Sequence, residues 1–365
     1  MKICSSKFIA LVFVPVLLSA VVLVYRAHPF HPAPFPLHEF THREERRDPA
    51  LVDARMLDRS HFVGSPHLQG PEDLVYDSNT GLLYTGCVDG WIKTFDLNAS
   101  VLRNWINTGG RPLGVALSGS QLIVADAYQG LLRITEDKKI EVLTNAAEGL
   151  KFNLTDGVDV GKDGTIYFTD ASYKYQFHDY LYDILEGRPH GRLLSFNPNT
   201  NETKVLLHNL YFPNGVAISP DQSSLVFCET PLKRCRRYWL QGSKKGSVET
   251  FIDNIPGFPD NIHCDGENYW IAISSSLNPY LEYANKLQFV RKVIIIVESY
   301  LSLLKHVQKN GGVYGVDLQG NPTAHFYDPA LSLLSGAVKI GNQIYVGSLQ
   351  YPHIIGFNMS KSQIS

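Results

Sequence analysis

One strand–turn–strand unit recurs six times along this chain, and its spacing restricts the fold more than any other feature. The units open as GPEDLVY at Gly70, RPLGVAL at Arg111, LTDGVDV at Leu154, FPNGVAI at Phe212, FPDNIHC at Phe258 and LSGAVKI at Leu334. Equivalent positions fall at Glu72, Leu113, Asp156, Asn214, Asp260 and Gly336, separated by 41, 43, 58, 46 and 76 residues. A period of that size made of strands predicts an all-β fold, a six-bladed β-propeller with one four-stranded blade per repeat. Residues at one repeat position then form a ring at one height around the central axis. That ring reads Glu, Leu, Asp, Asn, Asp, Gly.

Paired strands are legible within each blade, for instance LVYD with GLLYTG and VDV with TIYFTDAS. Asp163-Gly164, Asp265-Gly266 and Gly341-Asn342 supply the turns between such pairs. The two long spacings are explained by insertions at 172–192 and 279–312. Within the second, residues 287–307 have helical length, Leu301, Leu304 and Val307 lie at helical spacing, and Asn310-Gly311-Gly312 stops the run. This predicts a helical insertion over one mouth of the propeller; its VIIIV stretch could instead touch a membrane surface.

The N-terminus stands apart. Lys2 and Lys7 precede an apolar run from Phe8 to Tyr25, closed by Arg26. Residues 1–26 read as a signal anchor or a cleaved signal peptide, 27–50 as a Pro- and His-rich tether, 51–358 as the propeller and 359–365 as a tail. Either reading of the leader puts the body on the luminal side of the secretory pathway, in the endoplasmic reticulum, a vacuole or the cell exterior. Sequons at Asn98, Asn153, Asn201 and Asn358 fit that route as glycosylation sites. Five cysteines are too few for a disulfide framework. Cys228 and Cys235 flank ETPLKR and either bridge in an oxidising lumen or stay as two buried thiols. Lys plus Arg number 33 against 35 Asp plus Glu, a net charge of -2 that excludes a nucleic-acid surface. The expected partner is a small molecule, with membrane contact through the N-terminal segment and a monomeric state.

Chemistry concentrates on the ring. Glu72, Asp156, Asn214 and Asp260, with adjacent Asp73 and Asn261, gather carboxylate and amide oxygens from distant loops, as a hard cation such as Ca²⁺ requires. A softer metal is disfavoured because no Cys or His occupies the ring. Taken singly, these residues read as turns and solvated loops; a shared repeat position makes them a site. The chain has no G-x-S-x-G elbow, no H-E-x-x-H, no Walker loop and no dinucleotide fingerprint. His178 and His190, in the first insertion, are the histidines nearest in sequence to such a role.

The stretch 212–262, FPNGVAISPDQSSLVFCETPLKRCRRYWLQGSKKGSVETFIDNIPGFPDNI, closely resembles the strictosidine synthase-like proteins of plants. VDVGKDGTIYFTDASYKY and GRLLSFNPNTNETKVLL resemble the same family, and the likeness spans about 51–357. Animal adipocyte plasma membrane-associated protein and, more distantly, the paraoxonase-type calcium lactonases are related. The resemblance implies several residue assignments. True strictosidine synthase depends on a glutamate in the last blade's channel loop, where this chain has Ser335, Gly336 and Ala337; the resemblance therefore implies that this activity is lost. The calcium lactonases carry Glu, Asn, Asn, Asp and Asn on the ring, matched here at Glu72, Asn214, Asp260 and Asn261, with Asp156 in place of one Asn. Their Pro-His-Gly histidine corresponds to Leu113. The leading expectation is a Ca²⁺-dependent esterase or lactonase in which Asp260, or Asp170 at the end of YFTD, activates water. The alternatives are a non-catalytic ligand- or partner-binding propeller, or an amine–aldehyde condensing enzyme using another carboxylate.

Overall fold

The computed structural model describes residues 15–16, 19–20, 22–34, 36, 39, 48–276, 283, 286–301 and 308–359. Six antiparallel sheets built from 74–107, 112–144, 155–210, 213–252, 259–328 and 334–358 form blades 1 to 6 of a β-propeller. Inside each blade the strands run outward in chain order from an inner strand. Blade 6 takes its outermost strand, Ser60–Val63, from the N-terminal side, antiparallel to Ile354–Asn358. That exchange closes the ring with both ends of the propeller chain. Leu51–Asp53 adds a parallel fifth strand to blade 5 against Pro322–Asp328.

Blades stack face to face, so many strands are buried on both sides and read as continuous apolar runs rather than alternating ones. Ser224–Glu229 is buried at every residue. The apolar clusters lie between blades: Ala116, Ile123 and Ala125 of blade 2 pack on Phe168, Leu194 and Phe196 of blade 3. Trp270, Val313 and Phe326 of blade 5 meet Ala337, Val346 and Phe357 of blade 6 in the same way.

Five of the six inner strands carry a register shift near their start, between Pro112 and Gly114, Thr155 and Val158, Pro213 and Val216, Pro259 and Ile262, and Leu334 and Ala337. A bulge re-aims the extra residue, here at the height of the ring. The shared register also corrects the last repeat by one position. Leu334 pairs with Ser348 as Thr155 pairs with Asp170, so the ring residue of blade 6 is Ser335, not Gly336.

Gly336 has a different task. A Cβ there would lie 2.8 Å from the Glu72 carbonyl oxygen and 2.9 Å from Asp73 Oδ1, and one on Gly157 would lie 2.6 Å from the Asn214 carbonyl oxygen. Neighbouring inner strands approach backbone to backbone, and glycine after the ring residue permits it. Blades 1 and 5 carry Asp73 and Asn261 at that place, and their side chains become part of the axis.

Two insertions cover one mouth. The first contains helix α1, Tyr180–Glu186, and the second helix α2, Gln288–Leu301. Of the expected 287–307, helix α2 is described over Gln288–Leu301; Leu304 and Val307 lie outside the described residues. The N-terminal apolar run lies largely outside them too, and no described helix is long and apolar enough to cross a membrane.

The expected tether is ordered where it is described. Residues 28–34 lie along both lid helices: Ala33 N donates to the Glu186 carbonyl at 2.8 Å, Lys292 Nζ to that of His28 at 2.9 Å and Gln288 Nε2 to that of Pro32 at 2.9 Å. Buried Arg291 donates to the carbonyls of Leu185 and Glu186 at 2.9 and 3.2 Å, and also to that of Ala33. Phe30 is buried between Leu185 and Ile295. A chain that only spans a gap buries no aromatic side chain; this one straps the lid. Phe30→Ala should therefore loosen the lid without unfolding the blades. Hydrogen exchange should accelerate in α1 and α2 and stay unchanged in the inner strands.

Cys228 and Cys235 are register partners on adjacent strands of blade 4 and form a disulfide. Asn98 and Asn201 are exposed and open to a glycan. Asn153 is half-buried and donates Nδ2 to the Tyr173 carbonyl at 2.6 Å, a bond that glycosylation would have to break. Asn358 is half-buried at the end of a blade 6 strand.

Candidate active site

Beneath the lid lies a cavity of about 370 Å³ whose floor is the ring. Glu72, Asp156, Asn214 and Asp260 line it together, although they come from blades 1, 3, 4 and 5. Leu113, Leu154, Phe212 and Phe258 form its lower wall, and Tyr180, Leu181 and Ile184 of α1 with Val290, Ile294 and Val297 of α2 form its roof. The ring carboxylates are thus gathered at one end of a mainly apolar chamber, whose sides also carry Thr230, Ser274, Ser275, Glu298 and Gln308.

The floor is buried: Glu72 is 2%, Asp156 3%, Asn214 6% and Asp260 6% exposed. Asn261 Nδ2 donates to Glu72 Oε1 at 3.0 Å, tying blades 5 and 1 across the axis. Ser335 Oγ donates to the Glu72 carbonyl at 2.9 Å and fixes that loop from blade 6. Burial, and then the Asp260 and Asp156 carboxylates, hold Glu72 well above the usual carboxylate range. Burial followed by Asp156 does the same to Asp260. Burial followed by Asp73 pushes Asp156 up to about 8. Low dielectric and like charges both disfavour ionisation, so this floor is built to share protons or a cation.

Two buried oxygens, Glu72 Oε2 and Asn214 Oδ1, have no hydrogen-bond partner. Leaving such groups unmet costs about 1–3 kcal/mol each, and a hard cation would satisfy both. Among the described residues no three Asp, Glu, His or Cys side chains form a metal-holding group by themselves. The donors that face the floor are mixed, the carboxylates of Glu72, Asp156 and Asp260 with the amide of Asn214 and neighbouring Asn261, and oxygen donors of this kind are the chemistry a hard ion takes.

Asp170 stands apart from these residues. It does not line the cavity, and it accepts from Arg192 Nη2 at 2.7 Å and Nε at 3.2 Å. Burial lifts it to about 6 while Arg192 pulls it down. Its remaining oxygen accepts Leu154 N at 3.3 Å, as Asp126 accepts Arg111 N at 3.1 Å and Glu229 accepts Tyr211 N at 2.9 Å. These three acids hold the backbone entering successive inner strands, and of Asp170 and Asp260 it is Asp260 that lines the cavity.

His178 is exposed beside Asp179. His190 is buried, with Nδ1 3.0 Å from Asp183 Oδ2, which also accepts from Ser172 Oγ at 2.6 Å. That network anchors α1 to blade 3 and does not line the cavity.

Two residues near the axis, half-buried His263 and buried Arg111, escaped sequence reasoning. His263 Nε2 is 2.6 Å from Asp73 Oδ1; burial opposes its charge, but the Asp73 carboxylate prevails and raises it. Asp73 Oδ2 also accepts Val115 N at 3.1 Å, which links blades 1 and 2. His263 lies two residues beyond Asn261 on one strand, and that alternation was the available signal. Arg111 is 3% exposed with no hydrogen-bond partner for its guanidinium nitrogens, and it lies over the Phe177 ring at 5.4 Å. Its positive charge partly offsets those of Glu72 and Asp156. Nothing in the sequence distinguishes Arg111 from a surface arginine.

Comparison with known proteins agrees with this architecture. A strictosidine synthase family model matches residues 156–243, and a strictosidine synthase-like N-terminal model matches 55–95. Protein STRICTOSIDINE SYNTHASE-LIKE 6 of Arabidopsis thaliana is 45% identical, with 98% of this chain and 96% of that protein covered. Adipocyte plasma membrane-associated protein of Danio rerio is 32% identical over 99% of this chain and 91% of its own. Among solved structures, a gluconolactonase from Xanthomonas campestris superposes with a TM-score of 0.61 at 15% identity, covering 91% of this chain and 99% of that one. Regucalcin, a calcium-binding protein from Agrobacterium tumefaciens, gives 0.59 at 16% identity, covering 84% and 95%. The fold is shared with both, and the extensive sequence match to the plant proteins places this chain in the strictosidine synthase-like family.

Proposed function

We propose that this protein hydrolyses an ester or lactone with an apolar body, with Ca²⁺ held on the ring floor. The observation that carries this reading is the chamber itself, mainly apolar on its walls and roof and closed below by three buried carboxylates and an amide, with unmet oxygens on Glu72 and Asn214. Glu72 and Asn214 would hold the ion, joined by Asp156, Asp260 and Asn261. When bound, Ca²⁺ supplies Lewis acidity at the carbonyl oxygen. Asp260 takes the proton from an attacking water; burial and Asp156 raise its proton affinity toward the range a general base needs. The mainly apolar walls bind the organic body and exclude bulk water. A gluconolactonase and a calcium-binding regucalcin on the same fold support this reading.

One observation favours a binding role without turnover: Leu113, 1% exposed, lines the wall where a basic side chain would assist proton transfer. A panel of esters and lactones graded in chain length, assayed with Ca²⁺ and with chelator, separates the two readings. Metal-dependent turnover rising with chain length is expected. Ligand-induced thermal stabilisation with no turnover of any member would establish the binding role instead.

Condensation of tryptamine with secologanin is not expected. An iminium intermediate needs a placed base for its final deprotonation, and blade 6 offers only Ser335, bound to the Glu72 carbonyl, and Gly336, which has no room for a side chain. Purified protein with both substrates should yield no strictosidine by mass spectrometry.

The buried Cys228–Cys235 disulfide supports a luminal or extracellular location, since such bonds persist in oxidising compartments.

A further inference from the structure

Among the described residues, helix α2 has one face on the cavity, one mostly polar face on the N-terminal strap, and a third that is apolar and open. Val290, Ile294 and Val297 look into the cavity. Gln288, Arg291, Lys292 and Ile295 hold the N-terminal strap. The third face runs Phe289, Val293, Ile296, Tyr300, a spacing of four, three and four residues that makes one stripe. Phe289 is 58%, Val293 43% and Tyr300 75% exposed, and Ile296 is half-buried. A contiguous exposed apolar stripe marks an interaction surface.

What covers the stripe is indicated by the segment bound beside it. Lys292 reaches His28 O at 2.9 Å and sits over the Tyr25 ring at 4.9 Å, at the end of the helical turns 22–27. Those turns expose Val22, Leu23 and Val24 at 49, 67 and 46%. They are the last part of the apolar run that begins at Phe8. Two exposed apolar surfaces, one of them the end of the eighteen-residue run from Phe8 to Tyr25, are thus joined through Lys292 at one corner of the lid.

We propose that the outer face of α2 and the N-terminal helix together rest on a lipid bilayer, so that the cavity lies against the membrane and is loaded from it. The lid helix then has three occupied faces: cavity, strap and lipid. An apolar ligand passes from the acyl region past Val293, which is exposed to the outside and also lines the chamber. Amphipathic helices bury their apolar face shallowly at the headgroup boundary, and a roof helix lying in that plane needs no transmembrane depth of its own.

The test uses the full chain reconstituted with phosphatidylcholine vesicles. A tryptophan introduced by Phe289→Trp should shift its emission to the blue on vesicle addition and be quenched by lipid brominated near the headgroup. Val101→Trp, on an exposed strand of blade 1, should do neither. Equal behaviour of the two variants, or no association of the full chain with vesicles, overturns the proposal. A blue shift without lipid that grows with protein concentration assigns the face to a second copy and overturns it as well. A further arm rests on the hydrolase reading. Phe289→Asp should cut turnover of a long-chain ester presented in vesicles by roughly ten-fold, since a buried Phe is worth that much in transfer, and leave a short soluble ester unaffected. If wild type hydrolyses neither ester, the hydrolase reading falls while the quenching result still decides the membrane face. Equal vesicle turnover by Phe289→Asp and wild type counts against the membrane face alone.

Discussion

Asp260→Asn should lower kcat/KM on any ester or lactone that the wild-type protein cleaves by roughly 10²–10⁴, the usual worth of a placed general base. The substitution keeps the size of the side chain and an oxygen that can face a cation, and removes only the capacity to take a proton and one negative charge. No imidazole among the described residues lines the chamber to substitute: Leu113 occupies the wall, His190 is bonded to Asp183 outside it, and His263 is paired with Asp73. Asp170 cannot substitute either, being held by Arg192. The same change should stabilise the metal-free protein at neutral pH, because it removes a member of a buried, mutually repelling set. Lost turnover with a raised Tm in chelator is therefore the expected pair of results. Lower stability with turnover retained would make Asp260 an ordinary loop residue and exclude it from the chemistry.

Calcium should raise the Tm, with a pH dependence fixed by the floor. An ion that binds only the folded state at a hundred times its Kd adds about 2.7 kcal/mol. The direction with pH follows from Asp156, whose carboxyl is raised from 3.8 to about 8 in the folded protein. A raised folded value contributes stability that is complete below about 4 and is lost as pH rises through about 8. The metal-free protein should therefore weaken across that window. Calcium replaces the protons, so its stabilising effect should be largest above pH 8 and shrink below it, with protons released on binding. Glu72→Gln, which keeps the bond from Asn261 only if its amide oxygen faces that side chain, should reduce both the calcium shift and its pH dependence. Calorimetry in two buffers of different ionisation enthalpy reads the proton release. A Tm unmoved by calcium or chelator at pH 8.5 would show that the floor holds protons and no ion.

The balance of charges explains why both effects should be large. Three carboxylates share one buried floor, and the nearby cations are Arg111, separated from the chamber by Phe177, and the His263 paired with Asp73. Neither bonds Glu72 or Asp260. Evolution of a stable core would not ordinarily place such a set beneath apolar walls, since buried charge is costly unless paired. Sites that do so tend to be functional.

The sequence by itself determined the architecture, because a repeat must bury the same faces at the same intervals whatever its loops contain. The period set the number of blades, and glycine after the ring residue marked where inner strands touch. The residues Glu72, Asp156, Asn214 and Asp260 were legible as a set for the same reason: symmetry places equal positions at equal height. In the last repeat Gly336 corresponds to the glycines that follow the ring residue elsewhere, and strand register, through Leu334 and Ser348, makes Ser335 the ring member. Tertiary structure alone separated Asp260 from Asp170. Both are acids near a strand end, but one faces the chamber and the other faces Arg192, a residue 22 positions away. It alone turned residues 28–34 from a tether into a strap, because the partners of Phe30 lie more than 150 residues downstream on insertions that no repeat predicts. A repeat is encoded locally and can be read locally; an orphan contact between two insertions exists only once the blades have brought them to the same mouth.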